Sequence, residues 1–303
     1  MLSVTIRQLE YFVATADTGT VSGAAVQCAA SQAAVSTALR ELEKGLSVQL
    51  FVRRTAKGMT LTSGGARVLG LARRILGDLE ELAELARSEH DDVAGPLRIA
   101  CTSALSPRVL PVLAAACAER YPRLALQLTD GLAEGVQSMV LRGEADACLL
   151  YRRQLDPGLD GRTIHAIEPY IVVAADHPLA RRGSASLHEL VDEPLILVHG
   201  AGSRHAIETV IAEAGVTTRP GWSFANPETV RAMVARGLGY SVFSGRPTST
   251  ETFDGGRVAY LRIDDEVSVN EIVLALPHGQ QPNARLAAVE RLLATDEIRA
   301  SFG

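Results

Sequence analysis

The segment "CAASQAAVSTALRELEKGLSVQLF", Cys28 to Phe51, sets a serine suited to capping a helix N-terminus before a run of small and apolar residues. From Ser31 onward, Ala34, Val35, Ala38, Leu39 and Leu42 recur at helical spacing and are expected to form one buried stripe. The opposite face carries Gln32, Ala33, Ser36, Thr37 and Arg40, all small or hydrogen-bonding. Upstream, Ser22 is expected to cap a short helix containing Ala24, Ala25 and Cys28, whose small side chains let two helices cross closely. Two short helices joined by a tight turn form a helix–turn–helix.

Working outward, Ile6, Leu9, Phe12, Val13 and Ala16 mark an amphipathic helix that ends near Gly19, a residue able to take the left-handed cap conformation. Downstream, Leu50 and Phe51, then Met59 and Leu61, flank a basic turn with Gly58 and read as a two-stranded wing. Thr62 or Ser63 then caps a long helix in which Val68, Ala72, Ile75, Leu79, Leu82 and Ala86 alternate at spacings of four and three. That is a heptad seam, and a helix extending about 40 Å at ~1.5 Å per residue with one apolar seam calls for a partner. Net charge follows the same division: residues 1–62 sum to +2, residues 63–93 to −3 and the remainder to −4, within a total of −5. The positive lean is local, with Arg53, Arg54 and Lys57 clustered on the wing, and a local patch matters more for a polyanion than whole-chain charge.

"DDVAGP", residues 91–96, reads as a linker, after which the pattern changes. "LRIACT", "LALQLTD" and "ADACLLY" are short apolar strands alternating with helices at 107–121 and 133–143, which implies a mostly parallel sheet with strand order 2-1-3. Further strands are expected at 170–175, 193–198 and 221–225, and in "GYSVF", "RVAYLRI" and "NEIVLALP". Helices are expected after Ser203, over 227–237 behind Asn226 and Pro227, and over roughly 284–295.

Several classes are excluded or disfavoured. Hydrophobic content of 47% with 21% charge belongs to a globular chain and not a disordered one. No apolar run approaches the roughly 18 residues that span a bilayer. The N-terminus has no small-residue cleavage site and carries acidic residues, so no signal peptide and a cytoplasmic location are expected. Cys28, Cys101, Cys117 and Cys148 form no C-x-x-C pair and no metal-ligand spacing with histidine, so no metal site or cofactor is expected. Cys101 and Cys148 on neighbouring strands read as buried core thiols, with a thiol sensor as the lesser alternative. A nucleophile elbow, a phosphate loop and a dinucleotide fingerprint are all missing, which argues against an enzyme.

The whole of "RQLEYFVATADTGTVSGAAVQCAASQAAVSTALRELEKGLSVQLFVRRTAKGMTLTSGG" resembles the N-terminal winged helix–turn–helix of LysR-type transcriptional regulators. The similarity continues through "GPLRIACTSALSPRVLPVLAAACAERYPRLALQLTDG", "RGEADACLLY", "DHPLA", "DEPLILV" and "VRAMVARGLGYSV", and so covers nearly the whole chain. It implies an all-α winged helix–turn–helix over 1–62 and a dimerisation helix over 63–93. It further implies a two-lobed α/β effector-binding domain of the type 2 periplasmic-binding-protein fold over 94–303. Lobe one would comprise 94–164 and 268–303, and lobe two 165–267. Implied partners are double-stranded DNA, a small-molecule effector between the lobes, further copies of the chain as a homodimer or homotetramer, and RNA polymerase; no membrane is implied. The chain departs from the family pattern where Ala33 replaces a proline, Thr37 and Ala38 replace an Arg-Gln pair, Val21 replaces a phenylalanine, and Cys28 and Ala30 replace larger aliphatics.

With that frame, Ser31, Gln32, Ala33, Ser36, Thr37 and Arg40 are the expected DNA-contacting set, with Ser31 chiefly a cap. Glutamine can pair with adenine, and threonine or alanine can touch a thymine methyl. Taken outside a helix–turn–helix the same residues would be a plain solvated face. Arg53, Arg54 and Lys57 are expected at phosphates, with a solvated basic turn as the equal alternative. For the effector, Thr102 and Ser103 follow the first strand, Ser203 and Arg204 open a helix in the other lobe, and Asn226 opens another. Gly131, Tyr151 and His199 complete the expected set, and the expected ligand is a small anion such as a carboxylate. Capping alone would equally explain Ser203 and Asn226, and Trp222 reads as core.

Overall fold

Thr5 opens the first helix with a capping box: its hydroxyl accepts from the Gln8 backbone while the Gln8 side chain accepts from the Thr5 backbone. In the computed structural model, which describes residues 4–54, 58–85, 93–199, 201–247 and 249–302, α1 spans Ile6–Thr18 and ends on Gly19 at φ 68°. Leu9 and Phe12 are buried as the periodicity requires, joined by Tyr11 and Ala14, but Ile6 at the helix start is half exposed. Helix α2 (Val21–Gln27) is capped by Thr20 and not by Ser22: the Thr20 hydroxyl accepts from the Gly23 backbone at 3.0 Å. Ser31 caps α3 (Gln32–Leu46), accepting from Ala34 at 3.1 Å. Phe12, Val35, Leu39, Leu42, Leu50 and Phe51 form one core, with Phe12 edge-on to Phe51 at 5.5 Å between ring centroids. Ala34, expected in the buried stripe, is exposed, because the stripe runs through Val35, Leu39 and Leu42 and leaves Ala34 one step round the helix.

The wing is an antiparallel pair, β1 (Phe51–Arg54) and β2 (Gly58–Leu61), with Arg53 opposite Met59. The Glu43 carboxylate fixes its start by accepting from the backbones of Leu50 at 2.7 Å and Phe51 at 3.2 Å. Thr62 caps α4 (Ser63–Leu85), accepting from Gly65 and donating to the Gln49 carbonyl. Ala86, the last expected seam residue, lies outside the described residues. These elements belong to a first compact unit, Met1–Gly95 with Met139–Ala145.

The second unit comprises Pro96–Ser138 and Asp146–Gly303. Its first lobe alternates as expected: β3 (Gly95–Thr102), α5 (Ser106–Arg120), β4 (Leu124–Gly131), α6 (Ala133–Leu141), β5 (Ala147–Tyr151). The chain then forms β6 (Leu159–Ile167), a strand the sequence pattern did not reveal. It next builds a second lobe from β7 (Pro169–Ala174), β8 (Ser184–Ala185), β9 (Pro194–Val198), α7 (Ala201–Glu213), β10 (Arg219–Phe224), α8 (Pro227–Ala235), β11 (Ser241–Ser244) and β12 (Val258–Ile263). It returns through β13 (Asn270–Pro277), α9 (Ala284–Leu293) and α10 (Asp296–Ala300). The first lobe's sheet has the order β4-β3-β5-β13-β6, which contains the expected 2-1-3 arrangement, with β13 antiparallel to both neighbours. In the second lobe β11-β7-β12-β8 form one sheet, while β10 pairs with β9 in parallel.

Two expectations fail here for local reasons. Helix α7 begins at Ala201, so Ser203 lies inside its first turn and is not its cap. Trp222 is 47% exposed, because β10 is an edge strand whose residues face solvent almost throughout. Cys101 and Cys148 are buried as expected. Cys148 stands opposite Ala100, and Cys101 opposite Leu149. Side chains alternate along a strand, so the two thiols leave opposite faces of the sheet and cannot bridge without moving the backbone.

Candidate nucleic-acid interface and ligand cleft

The outer face of α3 presents Gln32, Ala33, Thr37 and Arg40 exposed, with Ser36 half exposed. These positions follow one another around a single helical face, while Val35, Leu39 and Leu42 lock the other into the core. Arg40 donates to the Thr37 hydroxyl at 3.2 Å. The face therefore offers one cation, two hydroxyls and an amide on a rigid support, a set able to hydrogen-bond base edges in a major groove. The turn before α3 is held tightly: Ala30 donates its backbone N–H to Ala25, and Ala29 sits at φ 50°.

The wing is docked on the turn between α1 and α2. Met59 donates its backbone N–H to the Gly19 carbonyl at 2.8 Å. Gly58 takes φ 78°, and a Cβ there would stand 2.4 Å from that same carbonyl oxygen. Only glycine permits this approach. Arg53 and Arg54 end β1, with their side chains outside the described set, and Lys57 lies outside the described residues. On α4, Leu71, Ile75 and Leu82 are 51%, 38% and 64% exposed, an apolar face left uncovered in the single chain.

Within the second unit, a cavity of about 50 Å³ lies between the two lobes. Ala104, Tyr151, Gln154 and Asn270 line it from one side, and Val198, Ile207, Val210, Val242, Phe243 and Ser244 from the other. The lobes are clasped beside it. Tyr151 donates to the Ser244 carbonyl at 3.1 Å, Arg108 donates to the Tyr151 hydroxyl at 3.2 Å, and Asn270 donates to the Ser244 hydroxyl at 3.3 Å. Gly245, at φ 76°, lets the chain pass the Arg108 guanidinium, which a Cβ would strike at 2.1 Å. Burial pushes the Tyr151 phenol up, against the pull of Arg108, so it remains a donor.

Of the residues expected to hold an effector, Tyr151 lines this cavity. Ser103 donates its hydroxyl to Asp130 at 2.9 Å, and its backbone N–H to the Gly131 carbonyl at 2.9 Å. Thr102 is buried, and its hydroxyl has no partner among the described residues. Arg204 is exposed and pairs with Glu208 one helical turn along. Asn226 caps α8, accepting from Glu228 at 2.9 Å, the duty that capping alone assigned it. His199 is exposed, and its backbone N–H bonds to Phe224. The Ser203 side chain is outside the described set. Sequence reasoning missed Arg108, Ser244 and Asn270; the only signal was Gly245 after a strand, and nothing local tied it to Arg108.

Two family models match. Residues 6–66 fit the bacterial regulatory helix–turn–helix of the lysR family, and residues 90–296 fit the LysR substrate-binding domain. The chain belongs to the LysR family of transcriptional regulators. This LysR-type protein is 32% identical to the RuBisCO operon transcriptional regulator of Allochromatium vinosum, over 80% of each chain. Among solved structures it resembles HinK, a LysR family regulator from Pseudomonas aeruginosa (29% identity, 96% of this chain and 98% of that one, TM-score 0.63). Full-length OxyR from Pseudomonas aeruginosa shares the fold (23% identity, 98% of each chain, TM-score 0.76). It is a DNA-binding transcriptional regulator and not an enzyme. Among the described residues no helix is long and apolar enough to cross a membrane.

Proposed function

We propose that this regulator reads its operator with Gln32, Ala33, Ser36, Thr37 and Arg40, with Ser31 holding the helix end in place. Arg53, Arg54 and Lys57 grip the flanking phosphates. The exposed row on α3, fixed from behind by Val35, Leu39 and Leu42, carries this reading. Base contacts specify and phosphate contacts position, so the two groups of residues have separable effects. The uncovered apolar face of α4 pairs with a second copy, giving a dimer that assembles into a tetramer. A small molecule in the cleft between the lobes of the second unit alters how the assembly holds DNA in the cytoplasm and meets RNA polymerase there.

Selection from a random duplex pool with the full-length protein supplies the operator and tests the assignment. Thr37→Ala is expected to relax the selected base at one position of each half-site, while Arg53→Ala weakens all sequences alike. Unchanged base preference in Gln32→Ala, Thr37→Ala and Arg40→Ala alike would remove α3 as the reading element.

A further inference from the structure

We propose that the cleft takes an uncharged organic molecule, with an apolar body and one amide or hydroxyl group, and not the carboxylate that the serine and arginine positions suggested. The inference rests on the cleft being the effector site and adds the chemical class of its occupant. Among the described residues lining the cavity, none is charged: the walls are Ala104, Val198, Ile207, Val210 and Phe243, interrupted by neutral polar groups. Removing a carboxylate from water into such a site without a paired cation is unfavourable, whereas an amide needs only one or two hydrogen bonds.

Several of the groups that could have received an anion are engaged elsewhere. Ser103 and Ser106 both turn their hydroxyls to the Asp130 carboxylate, at 2.9 and 3.4 Å. These two hydroxyls, which flank Ala104 in sequence, are thus committed to a carboxylate of the protein itself. Arg108 directs its guanidinium to the carbonyls of Phe302 at 2.7 Å and Arg246 at 3.5 Å, and to Tyr151. Arg153 is turned to Ser268 and Glu213. Uncharged hydrogen-bonding capacity does remain on the cavity wall: Ser244 accepts from Asn270 and retains its own hydroxyl proton for a ligand oxygen.

Size sets a second condition. About 50 Å³ admits a few non-hydrogen atoms, whereas a dry cavity of about 150 Å³ has room for benzene. A larger occupant reaches past this space, and where it presses on the Tyr151–Ser244 clasp its binding is coupled to lobe movement.

The test compares matched pairs on the full-length protein by ligand-observed NMR and calorimetry: acetamide with acetate, isobutyramide with isobutyrate, and benzamide with benzoate. In at least one pair the amide is expected to bind about tenfold or more tighter than its carboxylate. That binding is expected to disappear in Val210→Phe and in the milder Ala206→Leu, each of which fills the cavity from α7, where both residues line it. Tighter or equal binding of the carboxylates, abolished by the same variants, would overturn the uncharged class while leaving the cleft as the site. Binding of amides that survives both folded variants, or no binding by any probe, would overturn the proposal and count against the cleft as well.

Discussion

Replacing Gly58 by alanine should detach the wing while leaving the recognition helix intact. Gly58 holds φ 78°, and its missing Cβ would lie 2.4 Å from the Gly19 oxygen that Met59 bonds. A left-handed backbone costs a non-glycine residue about 1–2 kcal/mol, and losing the Met59 hydrogen bond adds about 1 kcal/mol. Backbone faces backbone here, so no side chain can turn aside and the wing must lift. If DNA binding requires the docked wing, the complex bears the same cost of about 2–3 kcal/mol, and affinity falls by as much as about 30- to 150-fold. Every phosphate that a wing cation releases also lowers the salt slope by about 0.9, so three cations released together flatten it by nearly three. Fluorescence anisotropy on the selected operator at several salt concentrations reads both effects. Gly77→Ala is the control: nothing lies within 4 Å of its Cβ, and alanine inside a helix favours the fold by up to about 1 kcal/mol. Wild-type affinity with an unchanged salt slope in Gly58→Ala would refute the docked wing as a phosphate grip.

Further expectations follow from the same packing. Phe12 is fully buried at the centre of the first core, so Phe12→Ala should cost about 3–5 kcal/mol and abolish DNA binding, while the second unit keeps its own calorimetric transition; a single unchanged transition would contradict the division into units. Ile75→Glu with Leu82→Glu should shift the sedimenting species toward the single chain, and an unaltered mass would place self-association elsewhere. Burial raises the Cys148 thiol in the folded state to about 12. Its neutral form therefore stabilises the fold fully below the ordinary thiol range, and this contribution is lost as the pH rises toward 12. Iodoacetamide at neutral pH should modify half-buried Cys28 ahead of Cys101 and Cys148 in native protein; equal labelling of all three would show that the first sheet opens readily.

The first unit was legible because its signals are local. Ser31 stands directly before the helix it caps, and the three- and four-residue spacing of Val35, Leu39 and Leu42 separates a packed face from an open one within a single helix. Misplacements were small shifts: Thr20 took the cap expected of Ser22, and Ala34 fell just outside the buried stripe. Strand–helix alternation likewise exposed the order of β4, β3 and β5. The cleft was not legible, because its partners are distant in sequence. Arg108 meets Tyr151, and Tyr151 meets Ser244, across separations that no periodicity encodes. Ser103 reads as an anion donor until Asp130, on the adjacent strand, is seen to hold its proton. Trp222 reads as core until β10 is placed at a sheet edge.

The central claim is that the outer face of α3 selects the operator. Anisotropy titrations of wild type and Arg40→Ala, on the selected duplex and on a scrambled one, across a salt series, test it most directly. Tight, salt-dependent binding by wild type with a wide gap between the two duplexes, and a gap narrowed by about 1–3 kcal/mol in Arg40→Ala, is the predicted result. Equal affinity of wild type for both duplexes, or an Arg40→Ala variant that keeps the wild-type gap between them, would contradict it.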